Sequence, residues 1–178
     1  NLLGDAAFSM GEAESRHLAA VLRAAPGDVL ALLDGFGHRR TARVVEAGRR
    51  AVVCRPHGEV ETLPPPAVAI TLFQCVAKPS RMDWLVEKAA ELGVACLVPV
   101  VSARAVARPA SGEKSDRWRR IAESALRQSA SGWLMEVGAP ILWPEALRAM
   151  QAFDGRLFVG ALTGETQDAG ALLMDLRR

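Results

Sequence analysis

Three consecutive prolines, Pro64-Pro65-Pro66, constrain this chain more than any other feature. Each proline fixes φ and donates no backbone hydrogen bond, so the run is a stiff extended spacer that neither a helix nor a sheet interior accepts. It divides the chain into residues 1–63 and 67–178, and the two parts have different rhythms. In the first, His17, Leu18, Val21 and Leu22 share one side of an amphipathic helix expected over Glu12 to Ala24. Ala25-Pro26-Gly27-Asp28 breaks it. Val29 to Leu33 reads as a buried strand, Asp34-Gly35 as a turn, and Thr41 to Glu46 and Ala51 to Arg55 as further strands around Gly48-Arg49-Arg50. One short helix and several short strands in about 60 residues suggest a small closed β-barrel.

The second part opens with a near-continuous apolar run, Ala67 to Ala77, as expected of a parallel strand buried on both faces. A helix follows. Ser80-Arg-Met-Asp83 reads as a capping-box-like start, Met82, Leu85, Val86, Ala89 and Leu92 as the apolar stripe, and Gly93 as the residue just past the end. Then come a strand over Ala95 to Val101, a polar stretch, a long helix from about Ser115 to Ser131 and a shorter one from Pro144 to Ala152. A strand over Arg156 to Ala161 and a short helix near Ala169 to Met174 complete the reading. Strand and helix in alternation give a right-handed parallel α/β layout. Such sheets bind ligands beyond the carboxyl ends of their strands, here Val76–Ser80, Val101–Arg108 and Gly160–Glu165.

Composition narrows the chemistry. Half of the 178 residues are hydrophobic and 24% are charged, which excludes wholesale disorder. No apolar run reaches the roughly 20 residues that cross a bilayer, and no basic-then-apolar segment opens the chain, so a cytoplasmic protein is expected. The chain starts at Asn1 and ends in Leu176-Arg-Arg178, which reads as part of a longer protein. Cys54, Cys75 and Cys96 stand 21 residues apart in apolar stretches, a pattern of buried thiols rather than of a zinc site or disulfides. His17, His38 and His57 form no HExxH, and there is no GxSxG elbow and no dinucleotide or Walker fingerprint. No metal is therefore expected.

All but three of the 22 basic residues are arginine. They cluster at 39–40–43, 49–50–55 and 117–119–120–127. Arginine grips phosphate with a rigid fork, so such clusters read either as a nucleic-acid face or as solvated surface. Trp118 among Arg117, Arg119 and Arg120 could stack a base, or could anchor its helix on the sheet together with Ile121 and Leu126. Glu87 and Glu91 flank Lys88 at surface-pairing distance. Lys78 and Arg81 differ, because both flank a strand end.

Several strings occur together in a telling order. His17-Leu-Ala-Ala-Val-Leu-Arg23, Pro26-Gly-Asp28 and Leu33-Asp-Gly35 come first. Lys78-Pro-Ser-Arg-Met-Asp-Trp-Leu-Val-Glu-Lys88-Ala-Ala-Glu-Leu-Gly-Val94, Pro99 and Ser102-Ala-Arg104 follow. Arg117-Trp118, Ile121-Ala122 and Glu123-Ser-Ala-Leu-Arg-Gln-Ser129 complete the set. Over about residues 13–165 this set resembles the ribosomal RNA small subunit methyltransferase E family. The resemblance implies an α/β fold: a PUA-like small β-barrel over 1–63 and a SPOUT-type parallel-sheet domain, its knot missing, over 67–178. It implies S-adenosylmethionine-dependent methylation of N3 of one uridine in 16S rRNA, on the small ribosomal subunit, by a homodimer. Carried over by position, Arg23, Lys78, Arg81, Arg104 and Gln128 would contact RNA, and Gly160, Ala161 and Leu162 would belong to the cofactor pocket. No catalytic base is assigned.

The sequence also departs from that family. The expected Gly-Pro-Glu-Gly-Gly and Leu-Arg-Thr-Glu-Thr-Ala strings are absent, so the chain as it stands is expected to be inactive. Ser131 stands where an arginine is usual, and Met135 where a proline is usual. A non-catalytic RNA-binding protein and a SPOUT methyltransferase with another RNA target stay open as alternatives.

Overall fold

A computed structural model describes residues 4–48, 50–103 and 113–160. The backbone falls into two compact units. The first comprises residues up to Pro65 together with Leu126–Leu134, and the second comprises Pro66–Ala125 and the residues from Met135 on.

The first unit is built from β1 (Phe8–Ser9), α1 (Glu12–Ala20), β2 (Val29–Leu33), β3 (His38–Ala47) and β4 (Val52–Thr62). The strands form one antiparallel sheet in the order β1-β4-β3-β2. Period-two alternation puts Ala42, Val44, Val52 and Cys54 on one face, where they pack with Leu18 of α1 and Leu32. Val44 lies opposite Cys54, so the two central strands meet side by side in the core. Ser15 is fully buried, and its hydroxyl both donates to the Met10 carbonyl (3.1 Å) and accepts the Val52 N–H (3.0 Å). One hydroxyl thus satisfies two backbone groups that burial would otherwise leave at a cost.

Two expectations for this unit are corrected. The helix ends at Ala20 rather than Ala24, and Val21 and Leu22 stand 65% and 57% exposed. The chain turns sharply there. Arg23 adopts φ 52, the Ala24 N–H returns to the Leu18 carbonyl, and Gly27 and Asp28 bond with Val44 of β3. The strand Val29–Leu33 is present, but only Leu32 is buried, because β2 is the outermost strand of its sheet.

The second unit contains β5 (Thr71–Cys75), α2 (Pro79–Glu91), β6 (Cys96–Val101), part of α3 (Glu113–Ser129), β7 (Glu136–Val137), β8 (Ile141–Leu142) and α4 (Trp143–Gln151). β5, β7 and β8 all run parallel to β6. β7 lies along its start and β8 along its end. Met82, Val86, Ala89 and Ala90 of α2 and Trp118, Ala122 and Ala125 of α3 close over Leu97, Val76, Met135 and Val137. Met135, one of the two departures, is thus a core residue at 4% exposure.

Here too the details differ from expectation. The apolar run from Ala67 narrows to β5, since its ladder with β6 starts at the Ile70 carbonyl, which accepts from Ala95 and Cys96. α2 begins two residues earlier than expected, with Lys78 rather than Ser80 as N-cap and Pro79 in its first turn. No side chain caps it, so Ser80 makes no capping box. Leu92 is 83% exposed rather than part of the stripe. It follows the last helical turn, and Gly93 at φ 80 carries the chain away. Arg156 to Gly160 form no strand. Leu157, Phe158 and Val159 are at least half exposed and find no ladder partner among the described residues. Ala161 and the helix read near Ala169 to Met174 lie outside the described residues. Cys75 is exposed, not buried, at the last position of β5.

Candidate functional site

The cations of this protein sort into two populations by what their side chains touch. Most of the arginine clusters are engaged within the fold. Arg39 reaches across from β3 to Glu61 of β4 with two nitrogens, at 3.0 and 2.7 Å. Arg40 meets Asp5 at 2.6 Å and the Gly58 carbonyl at 2.8 Å, and only 11% of its side chain is exposed. Arg43 donates to the Gly27 carbonyl at 3.0 Å. On α3, Arg117 forks onto Asp83 with contacts down to 2.7 Å. Arg119 meets the Asp116 carboxylate at 3.0 Å, and Arg120 bonds the Asp116 carbonyl at 3.2 Å. Arg127 lies 3.6 Å from Glu14. Hydrogen bonds to Asp83, and then the charge of that carboxylate, also hold Arg117 above its ordinary pKa.

The second population is exposed and unpaired among the described residues: Arg23, Arg50, Arg55, Lys78, Arg81 and Arg148, of which Arg23, Lys78 and Arg81 are the RNA candidates of the sequence analysis. Lys78 and Arg81 are brought together at the start of α2, directly beyond the carboxyl end of β5. The Lys78 carbonyl accepts the N–H groups of Arg81 and Met82 (both 3.0 Å), which fixes this first turn. The positive end of the helix dipole lies there and adds to the attraction for anions. Arg23 belongs to the first unit and sits at the turn after α1. Its left-handed φ of 52 costs a non-glycine residue about 1 kcal/mol or more. Ala24 and Ala25, which follow it, anchor the turn, Ala24 through its N–H to the Leu18 carbonyl and Ala25 through its N–H to the Asp28 carboxylate at 2.8 Å. Gln128 also belongs to the first unit and is exposed. Gly160 is exposed, and a Cβ there would meet none of the described residues within 4 Å. Arg104, Ala161 and Leu162 lie outside the described residues.

Other candidates resolve into structural roles. Trp118 is 4% exposed and anchors α3 in the core, with Ile121 packed beside it. Lys88 is held between Glu87 (2.8 Å) and Glu91 (2.8 Å), and these hydrogen bonds, Glu87's first, raise its pKa. The two carboxylates are therefore engaged in helix-surface pairing. Burial pushes the Cys54 and Cys96 thiols up, with Glu136 adding to the effect at Cys96, the opposite of what an activated thiolate needs. Asp34 orders the β2–β3 turn. Burial raises its pKa, but hydrogen bonds from the Phe36 N–H, the His38 ring (2.7 Å) and the His38 N–H together outweigh this and lower it. Ser131 donates to the Trp133 carbonyl at 3.2 Å, a local turn contact.

Among the exposed aromatics that the sequence does not single out, which include Phe36, Trp143 and Phe153, Trp84 lies nearest in the chain to Lys78 and Arg81. Trp84 is 63% exposed on α2. Its position was legible: it falls three residues after Arg81, off the Met82–Val86–Ala89 stripe.

Comparison with known proteins places the two parts. Residues 64–171 match the family described as RNA methyltransferase domain, and residues 11–56 match the RNA methyltransferase PUA domain. The chain belongs to this RNA methyltransferase family. Its relatives there include the ribosomal RNA small subunit methyltransferase E of Synechocystis, 31% identical over 138 residues that cover 77% of this chain and 44% of the relative. The protein of the same description from Aquifex aeolicus is 36% identical over 101 residues, 56% of this chain and 44% of its own length. The chain thus spans less than half the length of these curated relatives. Among solved structures, ribosomal RNA small subunit methyltransferase E from Neisseria gonorrhoeae bound to S-adenosyl methionine superposes with TM-score 0.75 at 32% identity, over 83% of this chain and 62% of that one. The fold class is the expected one, a PUA-like antiparallel part and a SPOUT-type parallel α/β part.

Proposed function

We propose that the protein methylates N3 of a uridine in the 16S rRNA of the small ribosomal subunit, with S-adenosylmethionine as methyl donor. The paired match, a PUA segment followed by a methyltransferase segment in one chain, carries this reading. In it, residues 1–63 form the barrel that holds RNA and 67–178 belong to the catalytic domain, which works as a homodimer in the cytoplasm. Arg23, Lys78, Arg81, Arg104 and Gln128 contact the RNA. The separation of cations supports three of these assignments, because Arg23, Lys78 and Arg81, like Arg50, Arg55 and Arg148, keep their charge free for phosphate, while the clusters at 39–40–43 and 117–119–120–127 spend theirs within the fold.

Gly160, Ala161 and Leu162 are proposed as the part of the cofactor pocket that this chain carries. The described residues do not by themselves fit the cofactor, since a Cβ at Gly160 would meet none of them within 4 Å. No chemical step is therefore assigned to them. The work of the described residues is to bind and orient RNA so that one base can be splayed from its surroundings.

The test is methyl transfer by the complete gene product to small subunits from a strain lacking the modification, with the product nucleotide mapped by mass spectrometry. N3-methyluridine at one site is expected. No transfer, or transfer to another RNA, contradicts the reading.

A further inference from the structure

We propose that Trp84 is a stacking platform for an unpaired RNA base, with Lys78 and Arg81 taking the adjoining phosphates. This rests on the RNA methyltransferase reading above and adds to it a residue and a mode of contact. Trp84 is 63% exposed although tryptophan buries readily, and the same helix hides Met82 and Val86 completely. The helix is thus firmly seated by its other face, and the indole is presented to solvent on a rigid element. In an α-helix, residues three and four apart are neighbours. Those around Trp84 are Ser80, Arg81, Glu87 and Lys88. On its own helix the indole is thus flanked by polar and charged side chains.

Charge along the helix sets a direction. Toward the N-terminus stand two cations without partners among the described residues, Arg81 and the N-cap Lys78. Toward the C-terminus the one cation, Lys88, is neutralised by Glu87 and Glu91. A strand of RNA with a base on Trp84 therefore runs its backbone toward the first turn of α2, where the helix dipole adds further positive potential. An aromatic face beside free cations is the pattern that holds single-stranded nucleic acid with little regard to sequence. Residues 64–171, which contain all three, match an RNA methyltransferase domain.

The test uses this chain and a fluorescein-labelled oligouridine of about 12 nucleotides, read by fluorescence anisotropy across a salt series. Trp84→Ala and Trp84→Leu are expected to raise Kd roughly tenfold, as loss of one stacked base does, and Trp84→Phe to stay within about threefold. Stacking releases no counterion, so the slope of log Kd against log salt is expected to stay unchanged in all three, whereas Lys78→Ala makes it shallower by about 0.7. Unaltered Kd in Trp84→Ala and Trp84→Leu, with Lys78→Ala still weakening binding, overturns the stacking role and leaves the RNA reading standing. Absence of RNA binding by the unmodified chain overturns both. A fall in sedimenting mass in the Trp84 variants without loss of RNA affinity also overturns the proposal and assigns Trp84 to a contact between copies.

Discussion

Helix α3 and the first turn of α2 teach opposite lessons about positive charge. α3 carries Arg117, Arg119 and Arg120 around a tryptophan, the densest basic aromatic string in the sequence. Each of these arginines has a partner within the fold, and Trp118 is in the core. The start of α2 carries only Lys78 and Arg81, yet both are free among the described residues, and the nearby Trp84 is exposed. The number of cations in a stretch says little about nucleic acid. What matters is whether the fold has already supplied them with anions.

The sharpest break of this comparison is between the two tryptophans. Trp118→Ala is expected to cost about 3–5 kcal/mol of stability, the range for deleting a buried aromatic ring. Trp84→Ala is expected to change stability by less than about 0.5 kcal/mol, as exposed positions do. Urea denaturation of both variants checks this, and equal losses would show that Trp84 also carries the fold. A smaller effect is expected at Ser15. Ser15→Ala strands the Val52 N–H and loses the bond to Met10, at a cost of about 1–3 kcal/mol in the same measurement.

The contrast between engaged and free side chains extends to the first unit. Arg23 holds a left-handed backbone that glycine adopts without penalty. Arg23→Gly is expected to leave stability unchanged or raise it by up to about 1 kcal/mol, while weakening RNA binding. A stability loss would mean that the arginine side chain, not its charge in solution, holds the turn. Asp34 gives the smallest effect and a pH signature. Its folded pKa is lowered, so its contribution is present above the ordinary carboxylate value of about 3.9 and is lost as pH falls below that through the folded value. Asp34→Asn is expected to flatten the acid limb of the stability profile and to leave the neutral region nearly parallel to the original.

Much of this fold can be read from local chemistry. The proline run falls at the boundary of the two units, Gly93 takes the positive φ expected past a helix end, and Met82 and Val86 form the buried stripe. What could not be read depends on distant partners. α1 stops early because Gly27 and Asp28 are strapped to Val44, some 17 residues away, which a helical periodicity running on to Leu22 does not reveal. Leu157-Phe158-Val159 has the composition of a strand, but a strand exists only beside another, and none pairs with it among the described residues. Of the candidate site, the free state of Lys78 and Arg81 was invisible, because a sequence does not show that Asp83 turns to Arg117 rather than to Arg81.

The most direct test of the account is the salt dependence of oligouridine binding in two double variants. Lys78→Ala/Arg81→Ala is predicted to make the slope shallower by about 1.4, two phosphate contacts at roughly 0.7 each. Arg117→Ala/Arg119→Ala is predicted to leave it unchanged. A shallower slope in the second variant and none in the first would contradict the claim that free cations, not numerous ones, hold the RNA.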